Sequence, residues 1–284
     1  MKIIDAHLHM GADAYFDEIA KAAGHENNAE HLAEQYRARG MVHGIIMGNL
    51  PLENTAPQYP RFMSYCVGID SRTGFDRETI KAQAALVRQH FQNPQCVGLK
   101  LYPGYNYFYI YDDCLEPFYE LAEKYDKPVA VHMGLTASND ALLKYSHPLV
   151  MDEAATKFRG VQFVMCHFGE PWFEDAAAVI EKNPNVVADL SGILTAKIPD
   201  FAAFLQKKHF YIDRMKGWLE YLDSYDRFLF GTDWPLANLG DYIKFTKEII
   251  PAGHWEAVFA ANAQRVYHLQ LTEENTINRY QVKE

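Results

Sequence analysis

An α/β fold closed as a single (β/α)8 TIM barrel is what the sequence predicts, and three observations predict it. Eight short apolar runs recur along the chain. Segments with helical periodicity separate them. No Pro/Ser linker or low-complexity tract interrupts the alternation over the 284 residues. Strands that alternate with helices pair in parallel through right-handed crossovers, and a chain of this length is the normal size for eight such units closed as one barrel. Residues 1–284 are therefore read as one domain.

The expected strands are Lys2–Ala6, His43–Met47, Ser64–Ile69, Cys96–Leu101, Pro128–His132, Val161–Cys166, Val186–Asp189 and Arg227–Gly231. The second is the least marked, because the Met41–Leu50 run is short and broken by glycines; a doubly wound open sheet is the alternative. Between the strands, Arg77–Phe91 and Leu115–Tyr125 repeat apolar residues at three- and four-residue steps, the pattern of amphipathic helices. The Tyr-rich stretch Tyr102–Tyr111 follows the fourth strand directly and is the one compositional oddity.

Composition narrows the function. An apolar fraction of 49% fills a sizeable core, and a net charge of −10 without a Lys/Arg run argues against nucleic acid or an anionic membrane as a partner. The four cysteines, Cys66, Cys96, Cys114 and Cys166, have no CxxC spacing and read as reduced, structural thiols of a cytoplasmic protein. The N-terminus meets Asp5, His7 and His9 too early for a signal peptide, and no apolar stretch is long enough to span a bilayer.

His7 and His9 are two apart on the first strand, so both project to one face, at the end where barrel active sites form. Imidazole is a common ligand for zinc and related ions; incidental strand histidines are the bland alternative. Asp5 lies one step deeper on that face as a supporting group. Three later strands end alike: His132 closes Val129–Val131, His167 follows Cys166, and Asp233 follows Gly231-Thr232. Buried imidazoles and carboxylates are costly unless paired or bound to a metal. One such residue is readily a satisfied core group, whereas five on one rim point to a metal centre.

The order of these residues resembles the amidohydrolase superfamily. Asp5-Ala6-His7-Leu8-His9, Gly231-Thr232-Asp233-Trp234-Pro235 and Asn262-Ala263-Gln264-Arg265-Val266-Tyr267 resemble its amidohydrolase-related (amidohydrolase 2) branch, over Ile3 to Tyr267. That branch includes lactonases and metal-dependent decarboxylases of aromatic and muconate-semialdehyde acids. The resemblance implies His7, His9, His132 and Asp233 as ligands of one divalent ion, zinc by default, with Asp233 and His167 as catalytic groups. It implies hydrolysis of a small carboxylated lactone, ester or amide by metal-activated water. The alternative is non-oxidative decarboxylation of an aromatic or muconate-type acid.

Lys100, in Gly98-Leu99-Lys100-Leu101-Tyr102-Pro103, has three readings: a carboxylated lysine bridging a second metal, a cation for a substrate carboxylate, or a structural ion-pair partner. The resemblance implies one metal, because in that branch this strand commonly reads GxKxxP without a binuclear centre. Tyr102 and Tyr105 suit a pocket wall, a barrel-top cover or a homo-oligomer contact. Trp234 and Trp172 suit either the pocket or the core. Arg72 suits a carboxylate clamp or plain surface, and Asp189 and Ser191 are weaker candidates for substrate hydrogen bonds. The remaining histidines are assigned no chemistry.

Overall fold

The strands form because their residues are buried on both faces. In the computed structural model, which describes residues 1–11, 14–69 and 77–279, every residue of β1 (Ile3–Leu8), β2 (Met41–Met47), β3 (Met63–Ile69) and β4 (Cys96–Leu101) is buried. Parallel strands covered on both sides read as near-continuous apolar runs rather than alternating ones, as here. β5 (Val129–Val131), β6 (Phe163–Met165), β7 (Val186–Asp189) and β8 (Phe228–Leu229) complete one eight-stranded sheet, ordered β1 to β8 with each strand parallel to the next. Beyond β8 the chain returns to β1: Ala6 N–H donates to Phe230 O at 2.9 Å, Asp233 N–H to His7 O at 2.8 Å, and His9 N–H to Trp234 O at 2.7 Å. The open-sheet alternative is thereby removed.

Six of the eight expected strands differ at one or both ends, and two of these differences bear on the site. The first strand runs on to Leu8, so His7 lies inside it. The last has two ladder residues instead of five, since residues after Leu229 pair with β1 rather than β7.

Among the described residues ten helices surround the sheet: α1 (Ala14–Ala22), α2 (Ala29–Arg39), α3 (Arg77–Gln92), α4 (Pro103–Asn106), α5 (Glu116–Lys124), α6 (Leu149–Lys157), α7 (Phe173–Lys182), α8 (Phe201–Leu222), α9 (Leu239–Ile249) and α10 (Asn262–Val266). Their ends follow local chemistry. Asn28 caps α2 by accepting the His31 N–H, and Gly40 ends it at φ 70°. The main apolar cluster lies between strands and helices, where Leu32, Phe62, Phe118, Phe163 and Phe245 are fully buried. A smaller one, including Ile4, Cys66, Val164, Cys166, Leu229 and Tyr267, is closed by Ala263 and Val266 of α10. No helix among the described residues is long and apolar enough to cross a membrane.

Candidate metal centre

The titratable side chains predicted from the strand ends come together at the rim where the strands' C-termini meet. His7 is buried within β1, and its Nδ1 lies 2.8 Å from Asp189 Oδ2. A carboxylate only accepts, so Nδ1 carries the proton and the Nε2 lone pair faces the site. That Nε2 is buried without a hydrogen-bond partner, 3.5 Å from Asp233 Oδ1, which is equally unpartnered. His9, just beyond β1, places Nδ1 at 3.1 Å from Met47 O and Nε2 at 3.2 Å from Asp233 Oδ1. His132, just beyond β5, places Nε2 at 2.8 Å from Leu135 O, which leaves Nδ1 as the free lone pair. In each case a protein acceptor holds one ring nitrogen and turns the other inward, the arrangement that orients metal-ligating histidines.

His167 belongs to the same cluster. Its Nδ1 lies 2.9 Å from Ser191 Oγ and 3.2 Å from Ser191 O. Ser191 Oγ gives its own proton to Asp189 Oδ1 at 2.5 Å, so His167 Nδ1 donates and Nε2 is left as an acceptor. That Nε2 stands 3.1 Å from His132 Nδ1. Two lone pairs at this distance repel unless a proton or cation lies between them. Ligand atoms of His7, His167 and Asp233 all lie within 4.8 Å of one another. A divalent cation would satisfy the orphaned His7 Nε2, the orphaned Asp233 Oδ1 and the facing imidazoles together. The donor set, imidazoles with one carboxylate, fits such an ion.

The electrostatics agree. Burial pushes the His7 imidazole down to about 4 and that of His132 well below its usual value, with His167 adding to the latter. Burial lowers His167 as well. These rings are therefore neutral and ligand-competent. Burial raises the Asp233 carboxyl, but a proton on the neighbouring His9, His7 or His167 imidazole would lower it by more, so this carboxyl is the last group of the cluster to gain a proton. Asp189 behaves likewise, with His7 as the dominant opposing partner.

Local backbone geometry is specific at these positions. Asp233 and His167 adopt φ values of 57° and 61°, unusual for residues with side chains. Gly192, at φ 69°, passes so close to the cluster that a Cβ there would lie 2.5 Å from His167 Nδ1. Sequence reasoning missed Gly192 and ranked Asp189 and Ser191 as substrate contacts; the structure occupies both instead in holding His7 and His167. Asp5 also differs. The ladder is irregular between Asp5 and Leu8, and the Asp5 carboxyl turns to Tyr36 of α2 at 3.2 Å and to Thr232 Oγ1 at 2.6 Å. It joins β1 to the segment after β8 from the helix side, and burial pushes it up to about 7.

Of the residues considered for substrate contact, Lys100 has no exposed surface; its Nζ donates to Cys166 Sγ at 2.9 Å and lies 5.1 Å from the Tyr102 ring. Trp234 is fully buried with its indole N–H unpartnered. Tyr102 donates to Gly48 O at 3.1 Å, and the Tyr105 ring meets that of His132 with centroids 5.1 Å apart. Trp172 packs on His147. Arg72 lies outside the described residues. All four cysteines are free.

Fold and site together define a closed α/β barrel with a histidine–aspartate cluster at its C-terminal rim. Residues 4–269 match the Amidohydro_2 family model, described as amidohydrolase, and the chain belongs to that family. A search of curated proteins finds no match. Solved structures share the fold. A probable 2-pyrone-4,6-dicarboxylic acid hydrolase from Acinetobacter baumannii with citric acid bound is 16% identical with TM-score 0.63, over 95% of this chain and 100% of that one. A Burkholderia multivorans amidohydrolase with bound zinc is 16% identical with TM-score 0.60, over 95% and 100%. A 2,6-dihydroxybenzoate decarboxylase complexed with 2,6-dihydroxybenzoate is 13% identical with TM-score 0.66, over 94% and 99%.

Proposed function

We propose that the protein is a metal-dependent hydrolase of a small carboxylated lactone, ester or amide. The observation that carries this reading is the convergence of the His7 and His9 Nε2 atoms on Asp233, with the His132 and His167 imidazoles facing each other in the same cluster and each ring's other nitrogen tied to a protein acceptor. His7 and His9 through Nε2, His132 through Nδ1, and Asp233 through its carboxylate would hold one divalent ion, with zinc as the default. When bound, the ion supplies Lewis acidity and lowers the pKa of water toward neutrality. Asp233, whose carboxyl lies below the usual carboxylate range, accepts the proton of the attacking water and returns it to the leaving group. His167 presents Nε2 beside the same point, as a second proton acceptor or, once protonated, as a donor to a substrate oxygen. Lys100 donates to Cys166 inside the barrel, which favours one ion over a carboxylated-lysine bridge between two. The free cysteines accord with a cytoplasmic setting.

The second reading is decarboxylation of an aromatic or muconate-type acid with the same residues, favoured by the likeness to the dihydroxybenzoate decarboxylase. Metal analysis tests the centre: the parent should carry about one equivalent of divalent ion and His7→Ala should carry none. A screen of metal-loaded protein against lactones and hydroxybenzoates, following acid release and carbon dioxide separately, tests the reaction. Carbon dioxide without a hydrolytic product overturns the hydrolase.

A further inference from the structure

The two tyrosines at the end of β4 stand at the same rim but use their hydroxyls differently. Tyr102 spends its proton on Gly48 O, fastening the end of β2 to the end of β4. Tyr105, on α4, accepts instead: the Ala137 N–H donates to its oxygen at 2.9 Å. A phenol oxygen that accepts a backbone N–H still carries its own proton, and no acceptor for that proton is present among the described residues. The ring is fixed in place. It meets the His132 ring edge-on with centroids 5.1 Å apart and the Tyr102 ring at 6.2 Å. A hydroxyl that accepts one hydrogen bond is polarised to donate another more strongly.

We propose that the Tyr105 hydroxyl is the hydrogen-bond donor this site offers to a substrate oxygen that carries or gains negative charge beside His132. This rests on the metal-dependent reading above and deepens it. It narrows the substrate to molecules that present a carbonyl, carboxylate or phenolate oxygen on the His132 side of the centre, opposite the β1 histidines. A donor held in place before the charge develops needs no reorganisation when it does. The rival role, a clamp for the loop at Ala137, uses only the oxygen's lone pair and gives no effect on anion binding.

The test uses zinc-loaded full-length protein and methylphosphonate, a small tetrahedral oxyanion, titrated by calorimetry. Tyr105→Phe should bind methylphosphonate roughly ten- to hundredfold more weakly, the loss expected for a hydrogen bond to a charged group, with zinc content unchanged. Replacing Tyr105 by 3-fluorotyrosine keeps the oxygen for Ala137 and sharpens the O–H as a donor, so affinity should equal or exceed that of the parent. A zinc-loaded parent that binds no methylphosphonate, or a Tyr105→Phe protein that binds it as tightly as the parent, overturns the role of Tyr105 and leaves the metal centre standing. A parent that takes up no zinc overturns the centre and the role together.

Discussion

Asp189→Asn separates ligand orientation from simple packing. Asp189 Oδ1 accepts three donors, Ser191 Oγ at 2.5 Å, His167 N–H at 2.9 Å and Ser191 N–H at 3.1 Å, while Oδ2 alone faces His7 Nδ1 at 2.8 Å. An asparagine keeps its carbonyl oxygen where the three donors are, because turning the amide would set N–H against N–H. The new NH2 then points at His7 Nδ1, which must become the acceptor. The ring proton moves to Nε2, the atom that faces Asp233 Oδ1, and the lone pair proposed for the ion is lost. Losing such a supporting carboxylate typically costs about 10–100-fold in metal affinity, or roughly 1.4–2.7 kcal/mol. The metal-free fold should hardly change, since His7 Nε2–H gains Asp233 as an acceptor. Chelator competition for zinc gives the affinity and thermal unfolding of the metal-free protein gives the control. Zinc affinity within twofold of the parent would refute the tautomer argument.

Other substitutions and conditions probe separate parts of the structure. Asp233→Asn should lower turnover by at least about a hundredfold, the usual scale of general acid–base catalysis, while retaining part of the metal; undiminished turnover removes its proton-transfer role. Gly192→Ala forces a side chain into left-handed backbone and against His167 Nδ1, so stability should drop by roughly 1–3 kcal/mol, measured by urea unfolding, with turnover falling too. Acid should destabilise the fold through His43, which burial pushes from 6.5 to about 4. The unfolded chain then binds more protons between those values, so stability is full above pH 6.5 and falls as pH drops toward 4. The loss is on the order of 3 kcal/mol for His43, and a pH-independent urea midpoint across that window contradicts it. Removing bound zinc with a chelator should lower the thermal midpoint, because a ligand of the folded state alone stabilises it.

The strands and the histidine–aspartate rim were legible because each rests on a local contrast: a run of apolar residues, then a histidine or aspartate at its end. His7, His9, His132, His167 and Asp233 all carry that mark. What the sequence hides depends on partners far along the chain. Asp189 looked like a substrate contact because nothing near it reveals His7, which precedes it by 182 residues. Lys100 was left with three readings, a bridge to a second metal, a cation for a substrate carboxylate or a structural partner, because nothing near it in sequence reveals Cys166, to which it donates inside the barrel. Asp5 was placed on the wrong face because strand parity assumes a regular ladder, and the ladder is irregular there. The least legible contributors are Met47 and Leu135, whose carbonyl oxygens orient His9 and His132. Only their main chain is used, so their side chains can vary without disturbing the two imidazoles. Asp189 does the same work for His7 with its side chain and has no such freedom. Support built from carbonyls leaves no trace in residue type, and support built from a carboxylate does, which makes position 189 a place where the orientation of the cluster can be tested by a single isosteric change.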